Sequence, residues 1–108
     1  MTLNDYQDKA LATAVYGKFN KIIYPTLGLT GEAGEVADKV KKVLRDNEGF
    51  FSDEIRSELI KEVGDVLWYV AALSNDLGYT LEEVANMNII KLSKRRAENK
   101  IHGSGDNR

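Results

Sequence analysis

Two short stretches of this 108-residue chain place carboxylates where they could do chemistry together. The first is Glu32-Ala33-Gly34-Glu35 and the second is Glu62-Val63-Gly64-Asp65. Residues three apart are neighbours on one helix face, so each stretch projects two carboxylates side by side. In an antiparallel helical hairpin, residues equidistant from the turn face each other. Glu35 with Glu62, and Glu32 with Asp65, share a midpoint between Glu48 and Gly49. A simple hairpin therefore predicts all four carboxylates at one level. Such a cluster cannot stay fully ionised in a partly buried site without a counter-charge. A hard divalent cation supplies one, and oxygen-only ligands suit Mg²⁺, with Mn²⁺ as a substitute, rather than Zn²⁺. Mg²⁺ usually keeps waters and shares itself with substrate phosphates, which points to metal-assisted phosphate chemistry.

Among 17 acidic residues, Glu-x-x-Glu spacing arises easily by chance on a solvated helix face. The matched register sets this pair of motifs apart, and so do two glycines. Gly34 and Gly64 each fall in a helix interior, where Gly costs about 1 kcal/mol relative to Ala. Close approach of a metal or ligand accounts for that cost, and so does close packing of another helix.

The elements that must carry these motifs are helical. The single Pro25 and the long stretches without turn signals predict an all-α fold. A first helix is expected from Asn4, as N-cap, to about Tyr16, followed by a structured connection to Thr26. A second helix is expected from about Leu27 to Leu44, then a turn over Arg45 to Phe51. Ser52 with Asp53 and Glu54 opens a third helix that ends at Leu77, before Gly78. Thr80 and Glu83 have capping-box spacing and open a fourth helix to about Asn99. Helices two and three are expected to pair as an antiparallel hairpin in a four-helix bundle-like protomer. The third helix is apolar on one face through Ile55, Leu59, Val63, Val66, Val70 and Leu73. Gly64, Trp68, Ala71 and Ala72 lie roughly opposite, so both sides call for cover, and a second subunit is the expected one.

Composition removes several function classes. There is no Cys, so disulfides, thiolate metal sites and a cysteine nucleophile are excluded. Fifteen basic against 17 acidic residues give a net charge of −2, which argues against a broad nucleic-acid face. Asp5, Asp8 and Lys9 do not suit an apolar signal segment, and no run reaches the ~18 apolar residues of a membrane span. The expectation is a cytoplasmic protein with one domain over residues 1–102 and a flexible polar tail over 103–108. The alternative for that tail is to be ordered by a ligand.

The chain resembles the MazG-like nucleotide pyrophosphohydrolases of the all-α NTP pyrophosphatase superfamily. Three segments carry the resemblance: Tyr24 to Glu35, Lys61 to Tyr69, and Asn88 to Arg95. Both halves of the family pattern, Glu-x-x-Glu and Glu-x-x-Asp, are intact. The resemblance implies hydrolysis of (d)NTPs to monophosphate and pyrophosphate, and removal of unwanted nucleotides from the pool. It implies Mg²⁺ on Glu32, Glu35, Glu62 and Asp65. A homodimer or homotetramer follows too, with helices of more than one subunit around each site. Glu35 is taken as the general base that accepts a proton from the attacking water, and Glu62 as a catalytic carboxylate. Lys91 and Arg95 are favoured as phosphate contacts, with Lys39 on the carboxylate side of helix two and Asn88 as a nucleotide contact. Tyr16, Phe19, Tyr24, Trp68 and Tyr69 are the available aromatic walls for a base, of which Phe19 and Trp68 are taken forward; Trp68 equally suits a subunit interface. The competing readings are a related hydrolase of dUTP/dUDP or phosphoribosyl-ATP, and a non-enzymatic metal-binding helical oligomer.

Overall fold

A computed structural model describes residues 1–107 of the chain; Arg108, which the alternative reading of a tail folded over a bound nucleotide sets near phosphate, lies outside the described residues. The described residues form four α-helices and no strand: α1 (Leu3–Leu11), α2 (Ile23–Asp46), α3 (Asp53–Asp76) and α4 (Leu81–Ala97), with a 3-10 turn at Lys18–Asn20. The all-helical expectation holds. α2 and α3 form the hairpin and pack most extensively, α1 lies on α3, and α4 lies on α1 and α3.

The hairpin closes where turn chemistry is strongest. Glu48 and Gly49 take φ of 53° and 77°, and the Asn47 and Gly49 amides both donate to the Val43 carbonyl. Ser52 Oγ accepts from the Ile55 amide at 3.2 Å, capping α3 as its sequence position predicts. Gly78, at φ 88°, ends α3.

Two helix boundaries differ from expectation by four residues or more, each for a local reason. The first helix stops at Leu11 rather than Tyr16. The Ala10 carbonyl, which a longer helix would offer to the Ala14 amide, instead accepts from Thr13 Oγ1 at 2.7 Å and from Trp68 Nε1 at 3.1 Å. Trp68 thus ends α1 from across the chain. The second helix starts at Ile23, four residues early. Pro25 sits in its first turn, where the missing N–H has no intrahelical partner to lose. The entry is strained: Ile22 has φ 68°, an unusual value for a β-branched residue. Asp76 Oδ2 compensates by accepting from the Ile22 amide at 2.9 Å and the Tyr16 hydroxyl at 2.8 Å. Burial and this bond push the Tyr16 hydroxyl up to about 12.

Asn4 is not the N-cap of α1. Thr2 is, in a capping box with Asp5. Asn4 serves α4 instead: its Oδ1 accepts from the Glu82 amide at 3.0 Å. Gln7, on the next turn and buried, accepts from the Leu81 amide at 3.0 Å and donates to the Ala71 and Tyr79 carbonyls. With Thr80 Oγ1 accepting from the Glu83 amide, the first three amides of α4 are all satisfied by side chains, two of them from α1.

Gln7 is therefore the joint between α1, α3 and α4. Gln7→Leu keeps much of the volume and leaves the buried Leu81 amide without its acceptor. We expect a loss of about 1–3 kcal/mol, read as a lower urea midpoint at an unchanged denaturant slope.

Candidate functional site

The carboxylates converge at mid-hairpin. One carboxylate oxygen from each of Glu32, Glu62 and Asp65 lies within 4.8 Å of the other two. Glu32 comes from α2, and Glu62 and Asp65 from successive turns of α3. Glu32 and Glu62 are half-buried and Asp65 is exposed. Glu35 is exposed and stands outside this converging trio, so the hairpin brings together three of the four acids. It remains close enough to act on Glu32 through space. Loss of water and then the Asp65, Glu62 and Glu35 carboxylates raise the Glu32 carboxyl above its usual range.

One cation is already present. Lys39 Nζ stands 3.7 Å from Glu62 Oε1 and bridges α2 to α3. Lys39, expected on the carboxylate side of helix two, turns across the hairpin to the α3 acid. At that distance a single ammonium does not cancel three carboxylates, and Glu32 keeps its raised proton affinity. The donor set is all oxygen, convergent and still net negative, which fits a hard divalent cation.

An aromatic wall borders the acids. Glu32, Asp65, Trp68 and Tyr69 line an open depression of about 320 Å³. Trp68 and Tyr69 meet edge to face at 5.0 Å, and Tyr16 stacks on Tyr24 at 4.9 Å. Tyr69 lies so close to α2 that a Cβ on Gly28 would clash with the edge of its ring, so a larger residue there would force the ring to shift. Burial, the Tyr24 hydroxyl, and then the Glu32 and Asp65 charges raise the Tyr69 phenol. Tyr6 of α1 is raised by burial and then by Asp65, which places a second phenol near the cluster. Neither Tyr6 nor Gly28 carries a spacing signal that singles it out in the sequence. The Trp68 ring edges this depression, but its N–H is spent on Ala10 and Thr13 of the α1 end.

The remaining site residues lie apart from the trio. Phe19 is 89% exposed on the 3-10 turn, with the Lys18 ammonium 5.3 Å from its ring centre. Asn88 is exposed on α4. Lys91 and Arg95 share a pocket on α4, where both bind the Asp106 carboxylate, at 2.8 and 2.9 Å. That pocket and the acidic depression have no lining residue in common.

Comparison with known proteins agrees with this geometry. The family model of the MazG nucleotide pyrophosphohydrolase domain matches residues 25–99, a span containing both carboxylate motifs, Lys91 and Arg95. The chain is also similar to the Gene 37 protein of Mycobacterium phage L5, at 46% identity over 114 residues that cover the whole of both chains. No solved structure matches. An acidic centre on a helical hairpin and a family match across that hairpin lead to one conclusion: the chain belongs to the MazG nucleotide pyrophosphohydrolase domain family.

Proposed function

We propose that this protein hydrolyses nucleoside triphosphates, deoxynucleotides among them, to the monophosphate and pyrophosphate, and so removes unwanted nucleotides from the pool. The observation that carries the reading is the convergence of Glu32, Glu62 and Asp65 within 4.8 Å in a chain of this family. These three residues would hold Mg²⁺, which when bound neutralises phosphate charge and makes water a better nucleophile. Glu35, exposed beside them and committed to no ion pair among the described residues, is assigned as the proton acceptor. Glu62 holds Lys39 as well as sharing the cation site, so it ties the two helices at the reacting level. Trp68 and Tyr69 offer the base an apolar wall, and Phe19 a second, exposed one. Residues 1–102 act as one functional unit in this reading.

The site is proposed to be completed by a second copy of the chain. The exposed surface is 8004 Å², against roughly 6,000 Å² for a compact monomer of this mass. The radius of gyration is 16.7 Å, against about 13 Å for a compact domain of this length. Ile60, Val63 and Leu67 form an exposed apolar stripe on α3, and Met87, Ile89 and Ile90 are exposed on α4. A partner covering these faces would bring the cationic α4 pocket toward an acidic centre that one chain alone leaves separate. Gly34 and Gly64 support the same reading. A Cβ on either would meet nothing within 4 Å, so packing within this chain does not explain them.

Three outcomes are expected. Pyrophosphate release from a panel of canonical and modified (d)NTPs should require Mg²⁺ and fall on the order of 100-fold or more in Glu62→Gln; absence of release from every triphosphate by folded protein would sink the proposal. In chelator, Glu32→Gln should raise Tm, because it removes one charge from a self-repelling group, and Mg²⁺ should then stabilise the variant less than wild type. Gly64→Ala should behave oppositely in its two readouts. Helix propensity alone would stabilise by about 1 kcal/mol, while close approach of a partner or ligand at that position would lower turnover or the mass seen by light scattering.

A further inference from the structure

We propose that the Asp106 carboxylate is a built-in competitor for phosphate: the C-terminal tail closes the Lys91–Arg95 pocket when no nucleotide is bound, and an incoming polyphosphate displaces it. The proposal rests on the reading that Lys91 and Arg95 meet the phosphates of the substrate.

The geometry is that of an anion site holding an anion of its own. Arg95 is 6% exposed, an unusual degree of burial for a guanidinium, and burial of that charge demands a partner. Among the described residues its side-chain hydrogen bonds go to the tail, from Nη2 to Asp106 Oδ1 at 2.9 Å and to the Gly105 carbonyl at 3.3 Å. Lys91 Nζ donates to the same Oδ1 at 2.8 Å. One carboxylate oxygen thus sits between two cations, as a phosphate oxygen would. Both cations lower the Asp106 carboxyl below its usual range, Lys91 first. Lys94 lines the same pocket, of about 550 Å³, and adds positive potential.

The chain is built to reach this pocket and to leave it. α4 ends at Ala97, and Asn99, at φ 56°, turns the chain back, with the Lys100 amide donating to the Arg95 carbonyl at 2.7 Å. Gly103 and Gly105 then flank Ser104, and Gly105 uses a φ of 74° that favours glycine. Asp106 itself is 77% exposed at its side chain. On that open side the carboxylate is reached by water and salt, so it exchanges readily even though the Arg95 charge beneath it is buried. A triphosphate brings more charge and more acceptor oxygens to the same two cations. The tail therefore lowers apparent affinity by the fraction of molecules in which it is closed, without blocking the site outright.

The test compares the full-length wild type with Asp106→Asn, using inorganic tripolyphosphate as the probe in calorimetric titration and a (d)NTP in steady-state assays. The expected result is tighter tripolyphosphate binding by about fivefold, the scale of one exposed ion pair, with KM lowered in parallel and kcat held. Amide NMR of the wild type supplies a second readout that needs no substitution: Gly103 and Gly105 should become mobile as tripolyphosphate is added. Unchanged or weaker binding by Asp106→Asn, or glycine amides that stay ordered at saturation, would overturn the competition while leaving hydrolysis intact. Loss of tripolyphosphate binding in both proteins together with loss of hydrolysis would remove the phosphate reading itself. Hydrolysis that persists without polyphosphate binding would overturn the tail proposal alone.

Discussion

Three carboxylate oxygens crowded within 4.8 Å repel one another, and the α2–α3 hairpin has to hold them there. Much of what surrounds them reads as a response to that repulsion. Lys39 reaches across from α2 to Glu62. Glu32 is held half out of water and keeps its proton more readily than an ordinary glutamate. The aromatic residues next to the trio form a border, with the Tyr69 ring packed closely against Gly28 of α2. A centre held together against its own charge has a standing affinity for hard cations, because cation binding relieves strain that folding put there.

The hairpin does this with little buried material. Among the described residues, the buried apolar ones are few and mostly small: Ala10, Pro25, Val43, Ala71, Ala72 and Leu81. Polar joints do what a larger core would otherwise do, with Gln7 and Asn4 capping α4 from α1 and Trp68 ending α1 from α3. Such joints fix where helices meet better than apolar contact does, since a donor and an acceptor admit few geometries. The broad apolar faces left on α3 and α4 are then free to serve assembly. On this view, the small core and the large exposed surface belong to one design.

Much of this was legible in the residues. The helical class, the hairpin, the Ser52 and Thr80 caps and the Gly78 stop all rest on local chemistry that a sequence displays directly. So do the two carboxylate motifs, because their spacing is intrahelical. What was hidden is what depends on contacts across the chain. Midpoint counting treats side chains as pointing straight across a hairpin, and so it could not separate Glu35 from Glu32, Glu62 and Asp65. It also could not see Lys39 choosing Glu62. Asn4 has cap chemistry, but which helix it caps is decided by the placement of α4. Pro25 looks like a break until the chain is seen to be entering a helix there. The tail shows the same limit: its Gly-Ser-Gly run looks merely flexible, and only the fold brings Asp106 to Arg95.

Asp76 has a mechanical meaning beyond the loop it holds. Its one oxygen, at the last residue of α3, receives the amide of Ile22 immediately before α2. The two long helices are thus joined at both ends, by the peptide chain through residues 47–52 and by this polar tie at the opposite end. A hairpin joined only at its turn would splay like tweezers, with separations that grow along the arms. Fastened at both tips, it behaves as a clamped frame whose lowest-energy deformation is a slight bowing in the middle. The acidic centre occupies that middle, where such bowing would alter the spacing between Glu32 and Asp65 while the helices stay in register.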